Sequence, residues 1–200
     1  MEETAERAYH HGDLRRAIIE TAMGMLHEDK GWQFTLREVA RRAGVSHAAP
    51  YKHFPEKAAL LSEMALIGFD RIREAVDVAK PQGPCSMREE FFAIGRAYVR
   101  FGTEAPGLYR LMFSAEIGKA GDVHLNDRAL AAFGVLVDWL ERGQASGVLR
   151  KRDVRGQAAA CWAQLHGITL LTIDDLLWPE KVGVNALDNA LAALLEGLEN

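Results

Sequence analysis

A chain of 200 residues with 48% hydrophobic and 26% charged residues can bury a full core, and six prolines argue against extensive disorder. A net charge of −4 does not by itself indicate a nucleic-acid partner. The two cysteines lie outside any CxxC motif, which favours reduced thiols, although one disulfide is compatible with the sequence. Neither a signal peptide nor an apolar run long enough to span a bilayer is visible. We therefore expect a soluble, cytoplasmic protein without a membrane partner.

The charge is unevenly distributed along the chain. Residues 1–60 contain nine Lys or Arg and nine Asp or Glu, so the net charge of −4 lies entirely in residues 61–200. Residues 37–57 contain five basic side chains and two glutamates, a local charge of +3. A basic patch on an otherwise acidic chain favours a defined docking surface over diffuse binding to polyanions.

The first predicted helix spans residues 13–28. Gly12 interrupts the preceding segment, Asp13 is the expected N-cap, and apolar residues follow at helical spacing until Gly31 ends the helix. His10 and His11 could form a metal pair, but no third ligand is in view, so a solvated tail is favoured. We expect no metal site.

Residues 35–57 form the most informative stretch of the chain. Thr35 and Glu38 have the spacing of a capping box, and apolar residues at helical spacing predict a helix over 36–43. Gly44 can adopt the left-handed conformation that ends this helix, and Ser46 is the expected cap of a short second helix over 47–53. Two helices joined by a glycine-containing turn predict a helix-turn-helix.

The remainder of the chain has helical periodicity throughout and no strand pattern of period two, so the predicted fold class is all-α. The helix over 154–177 is apolar on nearly all sides, and the helix over 181–199 has an apolar stripe that includes Val184. Such helices lie at the centre of a core or are shared with a subunit interface. DNA recognition through paired half-sites favours a dimer over a monomer with a thick core. The other predicted segments are helices over 56–79, 86–103, 108–113 and 125–145, with a loop over 114–123.

Trp162 and His166 are four residues apart and therefore share a helix face. A functional interpretation has His166 hydrogen-bonded to a ligand beneath Trp162. The alternative is a core histidine that pairs internally while Gly167 allows close helix packing, and this alternative is favoured because buried polar groups usually find internal partners.

The segment GVSHAAPYKHFPEKAALL at residues 44–61 resembles the DNA-binding module of the tetracycline-repressor (TetR) family of bacterial regulators. The resemblance extends from about residue 14 to 61. The Trp-x-x-x-His-Gly pattern at 162–167, together with LYRLMF at 108–113, resembles one C-terminal subfamily. The resemblance implies an all-α homodimer. Residues 1–58 would form a three-helix DNA-binding domain, and residues 59–200 would form a helical bundle that binds an effector and dimerises.

The resemblance also implies a sequence-specific transcriptional regulator, a repressor that a small-molecule effector releases from a palindromic double-stranded DNA operator. It places the recognition helix over 46–54. The family often has Gly, Thr and Leu where Ala48, Ala49 and Pro50 stand here, and methyl groups can contact thymine but donate no hydrogen bonds to bases. His47 and Tyr51 therefore carry most of the expected polar base contacts. The full set of implied DNA contacts is Arg37, His47, Ala48, Ala49, Tyr51, Lys52, His53 and Lys57. The implied pocket candidates are Phe91, Phe92, Tyr98, Met112, Phe113, Phe133, Trp162 and His166.

No motif indicates catalysis. The sequence lacks a glycine-rich phosphate loop, HExxH and GxSxG, and the adjacent Asp174 and Asp175 would diverge on a helix. We expect a protein that is not an enzyme and needs no cofactor. Two alternatives remain open. A DNA-binding dimer without a small-molecule effector would have a filled core, and an all-α enzyme with an accidental helix-turn-helix would show activity and no operator.

Overall fold

The computed structural model describes residues 11–28, 31–119 and 122–200, and within them the all-α prediction is confirmed. The one extended pairing among these residues is an isolated antiparallel bridge between Leu149 and Glu199. The helices are α1 (His11–Met25), α2 (Leu36–Arg42), α3 (Lys57–Ala79), α4 (Met87–Glu104), α5 (Pro106–Met112), α6 (Ala115–Lys119), α7 (Asp127–Ala145), α8 (Val154–Ile173), α9 (Pro179–Val182) and α10 (Ala186–Leu198), with a 3₁₀ turn over Pro50–Lys52.

Two helices begin with the same reciprocal cap. At α2, the backbone N–H of Glu38 donates to Thr35 Oγ1 at 3.2 Å, and the Thr35 N–H donates to the Glu38 carboxylate at 2.7 Å. At α4, Ser86 and Glu89 form the equivalent pair of bonds. The predicted capping box of α2 is confirmed, and both boxes satisfy backbone donors that a helix start leaves unpaired.

Several predicted boundaries were wrong. Asp13 lies inside α1 and does not cap it. The predicted loop over 114–123 contains α6, at whose start the Ile117 N–H donates to Ser114 Oγ at 3.3 Å. The helix predicted over 154–177 ends at residue 173 because Asp175 has a left-handed φ of 53°.

The helix predicted over 181–199 is interrupted. Gly183 has φ 81°, a conformation that a helix cannot include, and it separates α9 from α10. Val184 therefore lies outside the apolar stripe of α10 and is 84% exposed. The other long helices, α3, α4 and α7, lie within two residues of their predicted bounds.

We use "head" for residues 11–58 and "body" for residues 59–200. One hydrophobic cluster includes Ile18 and Phe54 of the head together with Met64 and Tyr109 of the body, so it crosses the predicted boundary at residue 58. A second cluster, around Trp139, lies wholly in the body between α3, α4, α7, α8 and α10. Helix α3 contributes to both clusters and thus connects the head to the body.

The head also contacts the body at α5. A Cβ atom at Gly107 would lie 2.3 Å from the carbonyl oxygen of Leu26, so only glycine lets these two backbones approach so closely. None of the described helices has the length and apolar character of a membrane-spanning segment.

Candidate DNA-contacting surface and ligand cavity

The turn after α2 has the predicted geometry. Gly44 adopts φ 68°, and the Val45 N–H donates to the Ala40 carbonyl at 3.0 Å, which closes the end of α2. Leu36, Val39 and Ala40 are buried against the rest of the head, so the opposite face of α2 is exposed. This packing directs Arg37 and Arg41 to solvent.

The second helix of the motif differs from the prediction. Residues 47–49 form a turn, and only Pro50–Lys52 is helical, as a single 3₁₀ turn. Pro50 has no N–H to donate to the Ser46 carbonyl, which instead accepts the Ala49 N–H at 2.9 Å. The predicted cap at Ser46 was wrong, because this turn begins without a side-chain cap.

The predicted DNA contacts fall into two groups by exposure. Ala49 is only 7% exposed and packs inward, so it offers little surface to a base. His53 is half-buried, and its buried Nε2 atom has no hydrogen-bond partner in the described part of the chain. Lys57 is half-buried with its ammonium 5.7 Å from the centre of the Phe34 ring. The exposed group is Arg37, His47, Ala48, Tyr51 and Lys52, with Tyr51 48% exposed.

One arginine of the basic stretch is already neutralised. Arg42 forms a two-pronged ion pair with Glu28 at the end of the first helical region, with Nη2 2.8 Å from Oε2. The carboxylate raises the pKa of the Arg42 guanidinium through this hydrogen bond. The exposed positive charge near the turn therefore comes from Arg37, Arg41 and Lys52.

A cavity of about 760 Å³ lies in the body. It is lined by α3, α4, α7 and α8, together with residues 113–115 and His124. Its size is within the range that takes drug-sized ligands, roughly 300–1,000 Å³. Five of the predicted pocket residues line it: Tyr98, Phe113, Phe133, Trp162 and His166.

The other three pocket predictions were wrong. Phe91 is fully buried and stacks on Trp139 with ring centres 4.7 Å apart. Met112 is fully buried against Gly68. Phe92 lies beneath the guanidinium of Arg96, 5.3 Å from its ring centre. All three are structural residues of the helix packing and do not line the cavity.

Tyr98, Tyr109, Trp162 and His166 form a hydrogen-bonded network beside the cavity. The Trp162 Nε1–H donates to the Tyr98 hydroxyl at 3.2 Å, and the Tyr109 hydroxyl donates to the Tyr98 hydroxyl at 3.0 Å. The Tyr109 oxygen is also 2.7 Å from His166 Nδ1. His166 therefore pairs internally through one nitrogen and lines the cavity as well, which combines the two interpretations that the sequence left open.

Burial shifts the acid–base behaviour of this network. It raises the pKa of Tyr98 to about 12 and that of Tyr109 further, so both hydroxyls keep their protons. It lowers the pKa of His166 and of His124, which favours the neutral imidazoles.

Tyr109, His124 and Phe69 are cavity-side residues that the sequence did not single out. Tyr109 was part of the LYRLMF segment, but nothing in its spacing indicated a bond to His166, 57 positions away. The His124 ring packs edge-on against Phe69 and parallel to Phe113, with ring centres 5.6 and 6.0 Å apart. No local pattern signals a histidine in a connection between helices.

No group of three or more His, Cys, Asp or Glu in the described ranges could hold a metal ion. The histidine pair considered from the sequence includes His10, which lies outside the described residues.

Comparison with known families matches both parts of the chain. Residues 18–64 match the model of bacterial regulatory proteins of the tetR family. Residues 91–196 match a tetracyclin repressor-like C-terminal domain. The match to this second model covers more than half of the chain.

Two curated relatives share sequence with most of the chain. The nucleoid occlusion factor SlmA of Alteromonas mediterranea is 30% identical over 148 residues, 70% of this chain and 69% of that protein. SlmA of Shewanella amazonensis is 25% identical over 142 residues, 70% of this chain and 68% of that protein.

Solved structures share the whole architecture. A protein of unknown function from a Rhodococcus species is 30% identical, with a TM-score of 0.77 and coverage of 98% of this chain and 100% of its own. A putative tetR family transcription regulator from a Shewanella species has a TM-score of 0.72 and covers 94% of this chain and 98% of its own. At 18% identity, the second likeness concerns the fold alone.

Proposed function

Because this chain belongs to the TetR family of bacterial transcriptional regulators, we propose that it is a homodimeric repressor that a small effector releases from a palindromic operator. The observation that carries this proposal is a helix-turn-helix whose exposed surface includes basic and aromatic side chains, joined by one helix to a body that contains a large apolar cavity. In this proposal, residues 1–58 are the DNA-binding domain and residues 59–200 bind the effector and dimerise. The protein acts in the cytoplasm by binding and not by catalysis.

The main DNA contacts proposed are the exposed ones, and two half-buried residues are added to them. His47 and Tyr51 supply hydrogen-bonding groups for base edges, and Ala48 offers a methyl group to thymine. Arg37 and Lys52 bind phosphates on either side of the turn, where they set the register of the head on the duplex. Lys57 and His53 are further phosphate contacts, and they need a small side-chain movement to reach DNA. The burial of Ala49 excludes it from the proposed set.

The proposed dimer interface combines α8 and α10. Helix α8 exposes Gly156, Ala160 and Ala163 at helical spacing, and α10 exposes Ala193 and Gly197. A Cβ at Gly197 would meet no atom within 4 Å, so no described part of the same chain covers this position. Small side chains let helices of two subunits approach closely and build a four-helix interface. Such a dimer would place two heads about 34–36 Å, or a multiple of that distance, apart on DNA.

Helix α3 supports the proposed release mechanism. Its first turns, at Leu60 and Leu61, pack in the cluster that the head and the body share, and its later turns, at Phe69 and Ile72, line the cavity. Glu63 forms ion pairs with Arg15 of α1 at 3.0 Å and with Arg128 of α7 at 3.1 Å. An effector that binds more tightly to one tilt of α3 would change the separation of the two heads, and unequal affinity for the two states is essential.

The proposal is tested by selecting bound fragments from the source genome and measuring the mass of the complex by light scattering. We expect one enriched sequence with two-fold symmetry and a dimer of subunits bound to it. Ala163→Arg should produce a monomer with weakened operator binding, whereas Ala145→Arg, at an exposed position of α7, should remain dimeric. A wild-type monomer, or the absence of any enriched sequence, would contradict the proposal.

A further inference from the structure

One part of the cavity wall is a cluster of flat aromatic rings, and aliphatic side chains form much of the rest. Trp162 is 37% exposed, and its ring centre lies 5.9 Å from that of Phe113 and 6.2 Å from that of Phe133. Phe69 packs edge-on against Phe113 with centres 5.7 Å apart. Aromatic rings interact best with other rings in stacked or edge-to-face arrangements. This aromatic cluster therefore favours an aromatic ligand body over a flexible polar one.

The described lining of the cavity has few groups that could balance a buried charge. No Asp or Glu is among the described residues that line it. Arg73 is the one arginine of the described lining, and its half-exposed side chain is paired with Asp77 at 3.5 Å. Burial lowers the pKa of His124 and of His166, which favours their neutral forms. Because an unpaired charge is costly to bury, the cavity favours a neutral ligand.

The direction of the hydrogen bonds determines which polar atoms remain available. The Tyr109 hydroxyl has one proton, which it donates to Tyr98. Its oxygen must therefore accept the 2.7 Å bond from His166, which places the imidazole proton on Nδ1. The Nε2 atom of His166 is then a hydrogen-bond acceptor, and it has no partner in the described part of the chain. Tyr98 accepts bonds from Trp162 and Tyr109, so its own hydroxyl proton also lacks an acceptor.

The acceptor His166 Nε2 and the donor hydroxyl of Tyr98 thus lie beside the aromatic cluster without partners in the described part of the chain. A hydroxyl group complements such a pair, because it can both donate and accept. We propose that the effector is a neutral aromatic molecule bearing a hydroxyl group, whose ring packs against Trp162 and Phe113 and whose O–H donates to His166 Nε2. This ligand class rests on the effector-controlled function proposed above, since it describes the occupant of the same cavity.

The test is isothermal titration calorimetry of the full-length protein without DNA. The probes are 2-naphthol, 2-methoxynaphthalene, which has the same ring but no donor, and 2-naphthoate, which has the same ring and a negative charge. The pair 4-phenylphenol and 4-methoxybiphenyl repeats the comparison on a longer ring body. We expect each phenol to bind roughly three- to tenfold more tightly than its methyl ether, as the net effect of one hydrogen bond predicts. The carboxylate should bind most weakly.

Two variants test whether the affinity difference between phenol and methyl ether comes from His166 Nε2. His166→Phe keeps an aromatic ring and removes the acceptor, so it should make the affinities of 2-naphthol and 2-methoxynaphthalene equal. His124→Phe changes the other cavity histidine, which makes no hydrogen bond within the described chain, and should preserve the difference. If circular dichroism shows that His166→Phe does not fold, Tyr109→Phe takes its place. It removes the oxygen that holds the imidazole proton on Nδ1, so it should narrow the difference.

The ligand class would be overturned if the wild-type protein bound phenol and ether equally or bound the carboxylate most tightly. It would also be overturned if no probe bound at 1 mM, a concentration set by the assay. An unchanged difference in His166→Phe would overturn the assignment of the acceptor. These measurements use the protein alone, so their failure would leave selection of an operator and dimer formation intact. Conversely, failure to bind DNA would refute the regulator and leave the affinities for the probes unaffected.

Discussion

The proposed DNA-contacting surface and the proposed ligand cavity of this protein are assembled in opposite ways. The surface comes from one stretch, residues 35–57, whose shape depends on a capping box, a left-handed glycine and a proline close together in the chain. The cavity collects side chains from Phe69 to His166, carried by five helices and two connections. A site made from one segment tolerates changes elsewhere, whereas a site made from distant segments depends on the packing of the whole body. Four predictions separate these two kinds of dependence.

The largest expected effect is on DNA affinity and concerns the surface alone. Tyr51→Ala combined with Lys52→Ala should weaken operator binding by about 100- to 1,000-fold, because contacts are lost in both subunits of the proposed dimer. The slope of log affinity against log salt should become shallower by roughly 1 to 2, since each lysine releases counterions from a phosphate. Electrophoretic mobility shifts over a salt series measure both quantities.

The control for this prediction is Lys151→Ala, at an exposed position before α8 and outside the proposed contacts. It should bind the operator as the wild type does. The affinity of the double variant for 2-naphthol should be unchanged. If 2-naphthol binding were lost together with operator binding, the surface and the cavity would not be independent of each other.

The second effect concerns the contact that joins the two regions. Gly107→Ala would place a methyl carbon 2.3 Å from the Leu26 carbonyl oxygen, so we expect a loss of about 1–3 kcal/mol in the free energy of unfolding in urea. The matched control is Gly134→Ala within α7, where a Cβ meets nothing within 4 Å. That change should stabilise the protein by roughly 0.5–1 kcal/mol, because alanine is the better helix former. Equal effects at the two positions would disprove close docking of the head on α5.

The third effect compares two identical caps in the two regions. Thr35→Ala and Ser86→Ala should each lower the free energy of unfolding by about 1 kcal/mol, since each removes a side-chain acceptor from a helix start. Only Thr35→Ala acts on the helix-turn-helix, so only it should also weaken operator binding near the melting temperature. Amide hydrogen exchange can locate the loosened segment, and increased exchange in α4 of the Thr35→Ala protein would count against independent regions.

The smallest effect is a pH dependence that belongs to the cavity. Burial lowers the pKa of His124 and His166 in the folded protein, so below about pH 6.5 the unfolded chain binds more protons than the folded one. The free energy of unfolding should therefore fall as the pH drops from 7.5 through 6.5 to 5. Replacing both histidines with phenylalanine should flatten this dependence in urea titrations.

Sequence reasoning predicted features that depend on neighbours in the chain. The capping box of α2, the turn at Gly44 and most bounds of the long helices were confirmed. Failures occurred where one residue overrides an otherwise helical pattern. Pro50 reduces the expected recognition helix to a 3₁₀ turn, and Gly183 divides the last helix, although the apolar periodicity continues on both sides.

The apolar periodicity of α4 explains why the cavity was only half predicted. Phe91 and Tyr98 lie on the same side of this helix, and the spacing does not distinguish them. In the structure, Phe91 stacks on Trp139 in the core of the body, whereas Tyr98 reaches the cavity and the network around His166. The positions of the other helices determine whether an apolar side chain of α4 packs against a neighbour or lines the cavity.

By itself, the sequence determined the fold class, the helix-turn-helix and the family, because caps, turns and helical stripes involve residues three to seven positions apart. Only the tertiary structure decided that Glu28 neutralises Arg42, that Ala49 is buried, and that His166 pairs with Tyr109 through Nδ1 and also lines the cavity. The last of these contacts joins residues 57 positions apart, and such distances are set by helix packing, which no local pattern encodes.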